Sequence, residues 1–448
     1  MARLNVKRES DARTHEGARA IEFGPEDSLR RSVMNCLLWE DQFYEDGKGI
    51  SDRIKELVPT VAPDRVAAIA VEARNAMNLR HVPLLLAREM LRHPSHRPLV
   101  ADVLDGVIKR ADELTEFLAI YWADNLAPMQ QRRKEKLASQ AKKGLARAFK
   151  RFDAYQLAKY DRDGAVRLRD VLFLTHPKPR DGEQAATWKA LVDGTLKSPD
   201  TWEVELSAGK DKRETFERLI SEGKLGALAV LRNLRNMQGA GVDRAIVRRA
   251  ISEMNVSRVF PYRFITAAKH APDLEPDLEQ AMFRAAATAE TLPGRTVLLV
   301  DVSGSMDWKM GGKSESTRID AACGLAILAR EICEDLTVYS FSSDVVKVPT
   351  RRGFGLAEAI LRSQAHGGTA LGSAIRSVTS AEQLRRTDRI IVITDEQSND
   401  TVGAPPCRGY IINVASYKNG VGSGDWLRVD GFSESVLRWV SSMERPNS

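Results

Sequence analysis

The feature that most constrains the fold is a change in hydrophobic period near residue 293. Before it, apolar residues recur every three or four positions, as in 63–79 and 97–110, which is typical of amphipathic helices. After it, helical stretches such as 317–334 separate short β-branched runs, which are 295–303, 336–344, 389–397 and 409–417. Strands that alternate with helices predict a buried parallel sheet. The chain therefore predicts an all-α part followed by an α/β domain.

The all-α part extends from about residue 28 to residue 292 and includes the helical stretches 111–122 and 212–234. It has no strict sequence repeat, but a short helical pair cannot bury its apolar face alone, so the pattern indicates a solenoid of degenerate pairs. The predicted domains are an N-terminal arm (1–27), the helical-repeat module (28–292), the α/β domain (293–441) and a tail (442–448).

The positive charge of the chain is concentrated in the helical part. The net charge is +6 over 448 residues, yet 295–448 holds 18 basic and 18 acidic residues. Residues 128–180 hold 15 basic and 5 acidic residues, a local net of +10. Such a block is either a solvated helix face or a surface that binds a polyanion.

The composition also excludes some classes of protein. No apolar run approaches the roughly 20 residues of a membrane helix, and the first residues lack the apolar core of a secretory signal. Four cysteines stand without C-x-x-C spacing, which favours reduced thiols in a cytoplasmic protein. They are Cys36, Cys323, Cys333 and Cys407.

Polar side chains follow three strand or loop segments of the α/β domain. Asp301, Ser303 and Ser305 come directly after the first strand, Thr369 lies in a GGT loop, and Asp395 ends a later strand. Because ligands bind at the carboxyl ends of parallel strands, we expect these loops to meet at one edge. Two carboxylates and three hydroxyls suit Mg²⁺, with Mn²⁺ or Ca²⁺ as alternatives, and do not suit zinc.

This D-x-S-x-S, Thr, Asp order resembles the metal-ion-dependent adhesion site of von Willebrand factor A domains. The resemblance implies that Ser303, Ser305 and Thr369 ligate the ion, and that Asp301 and Asp395 do so directly or through water. A coordination position given up by water could take a carboxylate of an acidic protein partner. The alternatives are a vestigial, empty site and an Asp301 that only caps the following helix.

A second candidate site lies in 148–180, where basic residues alternate with aromatic ones. Basic residues attract phosphate without regard to sequence, and aromatic rings can stack on unpaired bases. Aromatic residues are more often part of a core, however, and we expect Phe152 and Phe173 to be buried.

The order of several segments resembles the Ro autoantigen family, whose helical part is the TROVE module. The matching segments are 157–179, 226–237, 257–268, VLLVDVSGSM (297–306) and 428–440. The resemblance implies a HEAT-like helical ring with a Rossmann-like A domain. It further implies that the central hole takes single-stranded ends of misfolded or immature noncoding RNA, and that the outer surface binds a Y RNA. That Y RNA can tether polynucleotide phosphorylase, an exoribonuclease.

By position, the resemblance associates Lys159 and His176 with RNA binding. Arg162 belongs to the same basic segment, while Arg232 either faces RNA or braces helices. Charge alone adds weaker candidates, which are Arg132, Arg133, Lys142, Lys143 and Arg147.

We interpret the chain as a cytoplasmic, non-enzymatic RNA-binding ring that acts in RNA quality control or processing. One alternative is a helical scaffold whose A domain binds an acidic protein through Mg²⁺, without a role in RNA. A second is a metal-dependent hydrolase using Asp301 and Asp395, which the sequence disfavours because a two-metal site needs more carboxylates.

Overall fold

The computed structural model describes most of the chain, apart from segments at both termini and a few internal ones. The described residues are 13–14, 16–18, 20, 23–34, 47–123, 136–257, 259–287, 291–310, 315–381, 387–415, 420–422 and 425–444. They divide into two compact units, one of 1–50 with 251–448 and one of 51–250. The first unit groups residues from both sides of position 293, so the domain limits drawn from the sequence stay a prediction.

The α-helices described before residue 291 follow one another without an intervening strand element. They are α1 (Pro25–Met34), α2 (Gly47–Leu57), α3 (Pro63–Asn75), α4 (His81–Arg92), α5 (Val100–Val107), α6 (Asp112–Tyr121), α7 (Ser139–Phe149), α8 (Ala154–Tyr160), α9 (Leu168–Thr175), α10 (Gly182–Asp193), α11 (Trp202–Ser207), α12 (Lys212–Ser221), α13 (Ala227–Gly239), α14 (Arg244–Glu253), α15 (Pro261–His270) and α16 (Glu275–Ala286). The predicted stretch 212–234 is thus two helices rather than one, since Gly223 adopts a left-handed φ of 65° that ends α12.

The unit of residues 51–250 is built from neighbouring helical pairs. α3 packs on α4, α5 packs on α7, and α9 lies against both α6 and α7. The contact between α5 and α7 is close because Gly144 offers no side chain: a Cβ there would lie 2.8 Å from the Cβ of Leu104. Small residues at such crossings let helix backbones approach, so this position sets the spacing of the pair.

The α/β part contains a six-stranded sheet. Its elements are β1 (Leu292–Asp301), α17 (Arg318–Ile332), β2 (Cys333–Phe341), β3 (Val345–Lys347), α18 (Gly353–Leu361), α19 (Leu371–Ala381), β4 (Arg389–Thr394), β5 (Arg408–Asn413), β6 (Leu427–Asp430) and α20 (Ser435–Met443). The strand order is β3-β2-β1-β4-β5-β6, and every pair is parallel except β2 with β3.

Both faces of the central strands are buried, as the apolar runs in the sequence predict. Val297 and Leu299 share a core with Leu371 and Ile375 of α19. Successive side chains of a strand point to opposite faces, so the intervening Leu298 and Val300, also fully buried, line the other face. The carboxyl ends of β1 and β4 therefore meet at one edge of the sheet, where the polar loops begin.

Two further observations concern the described residues only. Cys323, Cys333 and Cys407 are free thiols, while Cys36 lies outside the described part of the chain. Among the helices described, none has the length and apolar character needed to cross a lipid bilayer.

Candidate metal centre and basic surface

β1 ends at Asp301, which is fully buried. Its Oδ1 accepts a hydrogen bond from the backbone N of Ser303 at 2.9 Å, which turns the chain sharply after the strand. Its Oδ2 accepts the hydroxyl of Thr394 at 2.5 Å. Because Thr394 is the last residue of β4, Asp301 ties two neighbouring strand ends together. Its local role is this turn and not the capping of a helix.

The three loops predicted to meet do contact one another. The N of Gly304 donates to the carbonyl oxygen of Gly367 at 3.0 Å, which joins the first loop to the GGT loop. The N of Asn399 donates to the carbonyl oxygen of Thr369 at 2.7 Å, which joins the GGT loop to the loop after β4. This edge of the sheet carries all five candidate ligands, namely Asp301, Ser303, Ser305, Thr369 and Asp395.

The hydroxyl and carboxylate groups of this edge lie close together. The Oγ atoms of Ser303 and Ser305 are 3.2 Å apart. Asp395 is fully buried, and its Oδ2 lies 3.2 Å from a guanidinium nitrogen of the buried Arg318. Burial, and then the nearby carboxylate of Asp395, raise the pKa of Asp301. The two buried carboxylates and the three hydroxyls form an all-oxygen donor set, and that set fits Mg²⁺.

The loop after β4 is also held by ion pairs and a hydrogen bond to other segments of the same unit. Glu396 is fully buried with a left-handed φ of 59°, and its carboxylate pairs with Arg31 of α1 and, at 3.4 Å, with Arg428. The hydroxyl of Thr14 donates to the carbonyl oxygen of Ser398 at 2.7 Å. The N-terminal segment therefore holds the loop that presents Asp395.

Among the basic candidates, Lys159 and Arg162 line one cleft. The cleft has a volume of about 610 Å³ and is also bordered by Lys197. The ammonium of Lys159 lies 6.0 Å from the ring centre of Tyr155 and 5.8 Å from that of Tyr160. Two aromatic rings thus flank a partly exposed cation at the cleft wall.

His176 is exposed and ends α9 in the left-handed conformation, with φ of 46° and its N donating to the carbonyl oxygen of Leu172. Asn, Asp and His adopt this conformation more readily than most residues. Among the described residues, no hydrogen bond or ion pair joins His176 to Lys159 or Arg162, so these candidates are not one connected cluster.

The remaining basic candidates differ in their surroundings. Lys142 and Lys143 are exposed on α7, and Arg232 is exposed on α13. Arg147 instead pairs with Asp102 at 2.6 Å, so it braces α7 against α5. Arg132 and Arg133 lie outside the described residues.

The two aromatic expectations have opposite outcomes. Phe152 is 4% exposed, which confirms that it belongs to the core. The prediction that Phe173 is buried is wrong: its side chain is 57% exposed. The inward face of α9 is already filled by its other residues, which are Leu168, Val171, Leu172 and Thr175.

Comparison with known proteins identifies the family. The TROVE domain family matches residues 26–195 and 188–306, which is more than half of the chain. The chain belongs to the TROVE domain family. The von Willebrand factor type A domain family matches residues 296–397, so the A domain follows the TROVE module. The resemblance to the Ro autoantigen family, inferred from the sequence, is thereby confirmed.

Individual relatives agree with this assignment. Telomerase protein component 1 of Mus musculus is 36% identical over 110 residues, and that of Rattus norvegicus is 34% identical over 110 residues. Each match covers 23% of this chain and only 4% of the relative. The crystal structure of Deinococcus radiodurans RO (RSR) protein has a TM-score of 0.61 at 20% identity, covering 94% of this chain and 99% of that one. The expected fold, TROVE helical repeats with a Rossmann-like A domain, is confirmed.

Sequence reasoning missed several residues that shape these sites of the TROVE protein. Arg318 at the start of α17 and Thr394 at the end of β4 both contact the carboxylate pair. Thr394 directly precedes Asp395 in the sequence, so its position at the strand end was a usable signal. No local pattern marks Arg31 as a partner of Glu396.

Proposed function

We propose that this protein binds noncoding RNA through single-stranded ends, using the basic surface of its TROVE module. The observation that carries the proposal is the cleft bordered by Lys159, Arg162 and Lys197, which lies within the part of the chain that matches the TROVE family. The three cations outnumber the two carboxylates of the lining, Asp161 and Glu203, and a net positive concave surface attracts a phosphate backbone without reading its sequence. The neighbouring tyrosines offer faces on which unpaired bases can stack.

The finer features of the proposal follow the Ro family resemblance. We propose that the helical repeats close into a ring and that a Y RNA docks on the outer surface. An exoribonuclease such as polynucleotide phosphorylase would be recruited through that RNA. The protein itself supplies no catalytic step: it selects RNA by single-strandedness and shape. We place this activity in the cytoplasm and in RNA quality control or processing.

The test is a gel-shift titration of one structured RNA with and without a single-stranded 3′ tail, at two salt concentrations. We expect the wild type to prefer the tailed RNA and to lose affinity as salt rises, because phosphate contacts release counterions. Lys159→Ala/His176→Ala should weaken tailed binding about 10-fold or more and reduce the salt slope by about 1.

Lys189→Ala is the matched control because it removes the same single charge at a residue that is 77% exposed on α10 and does not line the cleft. It should change the affinity less than about 2-fold. Equal, weak binding of both RNAs by the wild type, unchanged in the double variant, would contradict the proposal.

We also propose that the A domain binds Mg²⁺ through Asp301, Ser303, Ser305, Thr369 and Asp395, with Mn²⁺ and Ca²⁺ as alternatives. The all-oxygen donor set at the buried strand ends supports this. A bound divalent cation would supply a Lewis-acid position open to a carboxylate of an acidic protein partner.

The metal assignment predicts a cation-dependent melting temperature. Millimolar Mg²⁺ should stabilise the wild type by about 1–3 kcal/mol relative to EDTA, because a ligand that binds only the folded state shifts unfolding by mass action. Asp301→Asn should abolish the shift while keeping the shape of the side chain. Asp344→Asn, at an exposed position of the same unit, should retain it. A shift that persists in Asp301→Asn would place the cation elsewhere.

A further inference from the structure

Phe173 is the most exposed of the large apolar side chains in the described part of the chain. Its exposed fraction is 57%, compared with 53% for Trp308 and 47% for Leu228. Exposed single apolar residues are common, so exposure alone does not define a site. The evidence for a site is the set of polar and charged residues that lie next to Phe173 on α9.

The helical periodicity of α9 fixes which residues accompany Phe173. The buried positions 168, 171, 172 and 175 are spaced three and four apart and occupy the inward face. Arg169 lies four residues before Phe173 and His176 three residues after it, and both are exposed. Arg169 and Phe173 are therefore neighbours on the helix surface. His176 directly follows the last helical residue in the left-handed conformation, so the outward face of α9 carries a phenyl ring beside a guanidinium, with an exposed imidazole at the end of the helix.

The charges around this face favour an anionic occupant. Lys178 and Arg180, just beyond the helix, are exposed. Three nearby carboxylates are engaged: Asp170 accepts the backbone N of Arg167 at 2.8 Å, Asp163 pairs with the Arg167 guanidinium, and Asp181 pairs with Arg180 at 2.8 Å. A protein partner would need only an apolar patch, whereas a phenyl ring flanked by phosphate-binding groups matches the alternating base and phosphate of a single strand.

We propose that Phe173 is a stacking platform for one unpaired base of RNA, with Arg169 and His176 contacting the phosphates on either side. This subsite rests on the proposed RNA-binding function and deepens it. It selects single strands because a base within a duplex has no free face to offer the ring. It reads no sequence, since every base has such a face.

The experiment uses the full chain and a structured RNA whose single-stranded tail carries one 2-aminopurine, with the blunt RNA alongside. The variants are Phe173→Leu, which keeps an apolar side chain without a ring, Phe173→Tyr, which keeps the ring, and Trp308→Leu as an exposed aromatic control. Phe173→Leu should weaken tailed binding about 5- to 100-fold, and fluorescence quenching of the stacked base should be lost.

Three further results are expected if Phe173 stacks on a base. Phe173→Tyr should restore affinity and quenching, Trp308→Leu should match the wild type, and blunt RNA should bind all variants equally. The salt slope should stay unchanged in Phe173→Leu, because no charge is removed, and should fall by about 1 in Arg169→Ala.

Two outcomes overturn the proposal in different ways. If Phe173→Leu binds tailed RNA as the wild type does while Lys159→Ala/His176→Ala does not, RNA binding stands and the stacking subsite fails. If the wild type shows no tail preference, the proposed function fails, and the subsite fails with it. Circular dichroism should show an unchanged melting temperature for Phe173→Leu, since an exposed side chain contributes little to stability.

Discussion

Replacing Arg31 by methionine should lower the free energy of unfolding of its compact unit by about 3–5 kcal/mol. Arg31 is 2% exposed and pairs with the fully buried Glu396, and its Nη1 lies 3.5 Å from Oδ1 of Asp430. The variant removes the cation that two buried carboxylates share, which leaves Glu396 with Arg428 at 3.4 Å and Asp430 with the amide of Asn413. Burial already raises the pKa of Asp430 and the Arg31 guanidinium opposes that rise, so the loss pushes Asp430 towards its neutral form.

The measurement is urea unfolding of the full chain, with hydrogen exchange assigning the loss to residues 25–34 and 387–430. Arg362→Met is the matched control because Arg362 is 80% exposed in an ion pair with Glu358 of the same unit. It should cost less than about 0.5 kcal/mol. Arg31→Met/Glu396→Gln should recover part of the loss, because it removes one of the uncompensated charges. A cost below about 1 kcal/mol for Arg31→Met would show that the cluster is not a stabilising centre.

Glu113→Ala should have an effect of similar size on the helical unit, about 3–5 kcal/mol. Glu113 is fully buried in α6. Its Oε1 accepts from Arg74 at 2.8 Å and from Arg80 at 3.4 Å. Its Oε2 accepts from the backbone N of Lys109 at 2.7 Å and of Arg110 at 3.0 Å. Truncation removes the carboxylate partner of Arg74 and one of the partners of Arg80, which keeps its pairs with Asp112 and Glu116. It also leaves two backbone donors without their acceptor.

The same unfolding measurement, with hydrogen exchange of residues 63–121, tests this prediction. Glu113→Gln keeps one acceptor oxygen and should cost less than Glu113→Ala. Asp193→Asn is the surface control, since Asp193 is 43% exposed in its pair with Lys189, and it should stay within about 0.5 kcal/mol. Comparable losses for Asp193→Asn and Glu113→Ala would mean that burial does not set the strength of the Glu113 cluster.

The sheet and the candidate metal edge were accessible from the sequence because both depend on local patterns. Each apolar run long enough to be a buried strand became one, as in β1, β2, β4 and β5. The carboxyl ends of parallel strands share an edge whatever the details of the loops. Two short strands, β3 and β6, were not predicted. β3 has only three residues, and β6 alternates apolar and charged residues.

Other features depend on contacts that no local pattern encodes. Arg31 lies on a helix rich in charge and resembles a surface residue, yet its partner Asp430 is 399 positions away. Phe173 lies in an apolar stretch, and only the packing of α9 shows that four other residues fill the inward face. The hydrogen-bond donors to the carboxylate of Glu113 likewise come from α3 and from the segments before α4 and α6.

The pairing of α1 with residues 396 and 430 has a consequence for biosynthesis. The ribosome synthesises the chain from the N-terminus to the C-terminus, and domains generally fold as units during synthesis. Helix α1 leaves the ribosome early, but the carboxylates that neutralise Arg31 follow several hundred residues later. The helical unit of 51–250 is complete well before that. We therefore expect the intervening helices to fold before α1 packs in its final position. That packing needs β6, so it should be the last step in assembling the candidate metal edge.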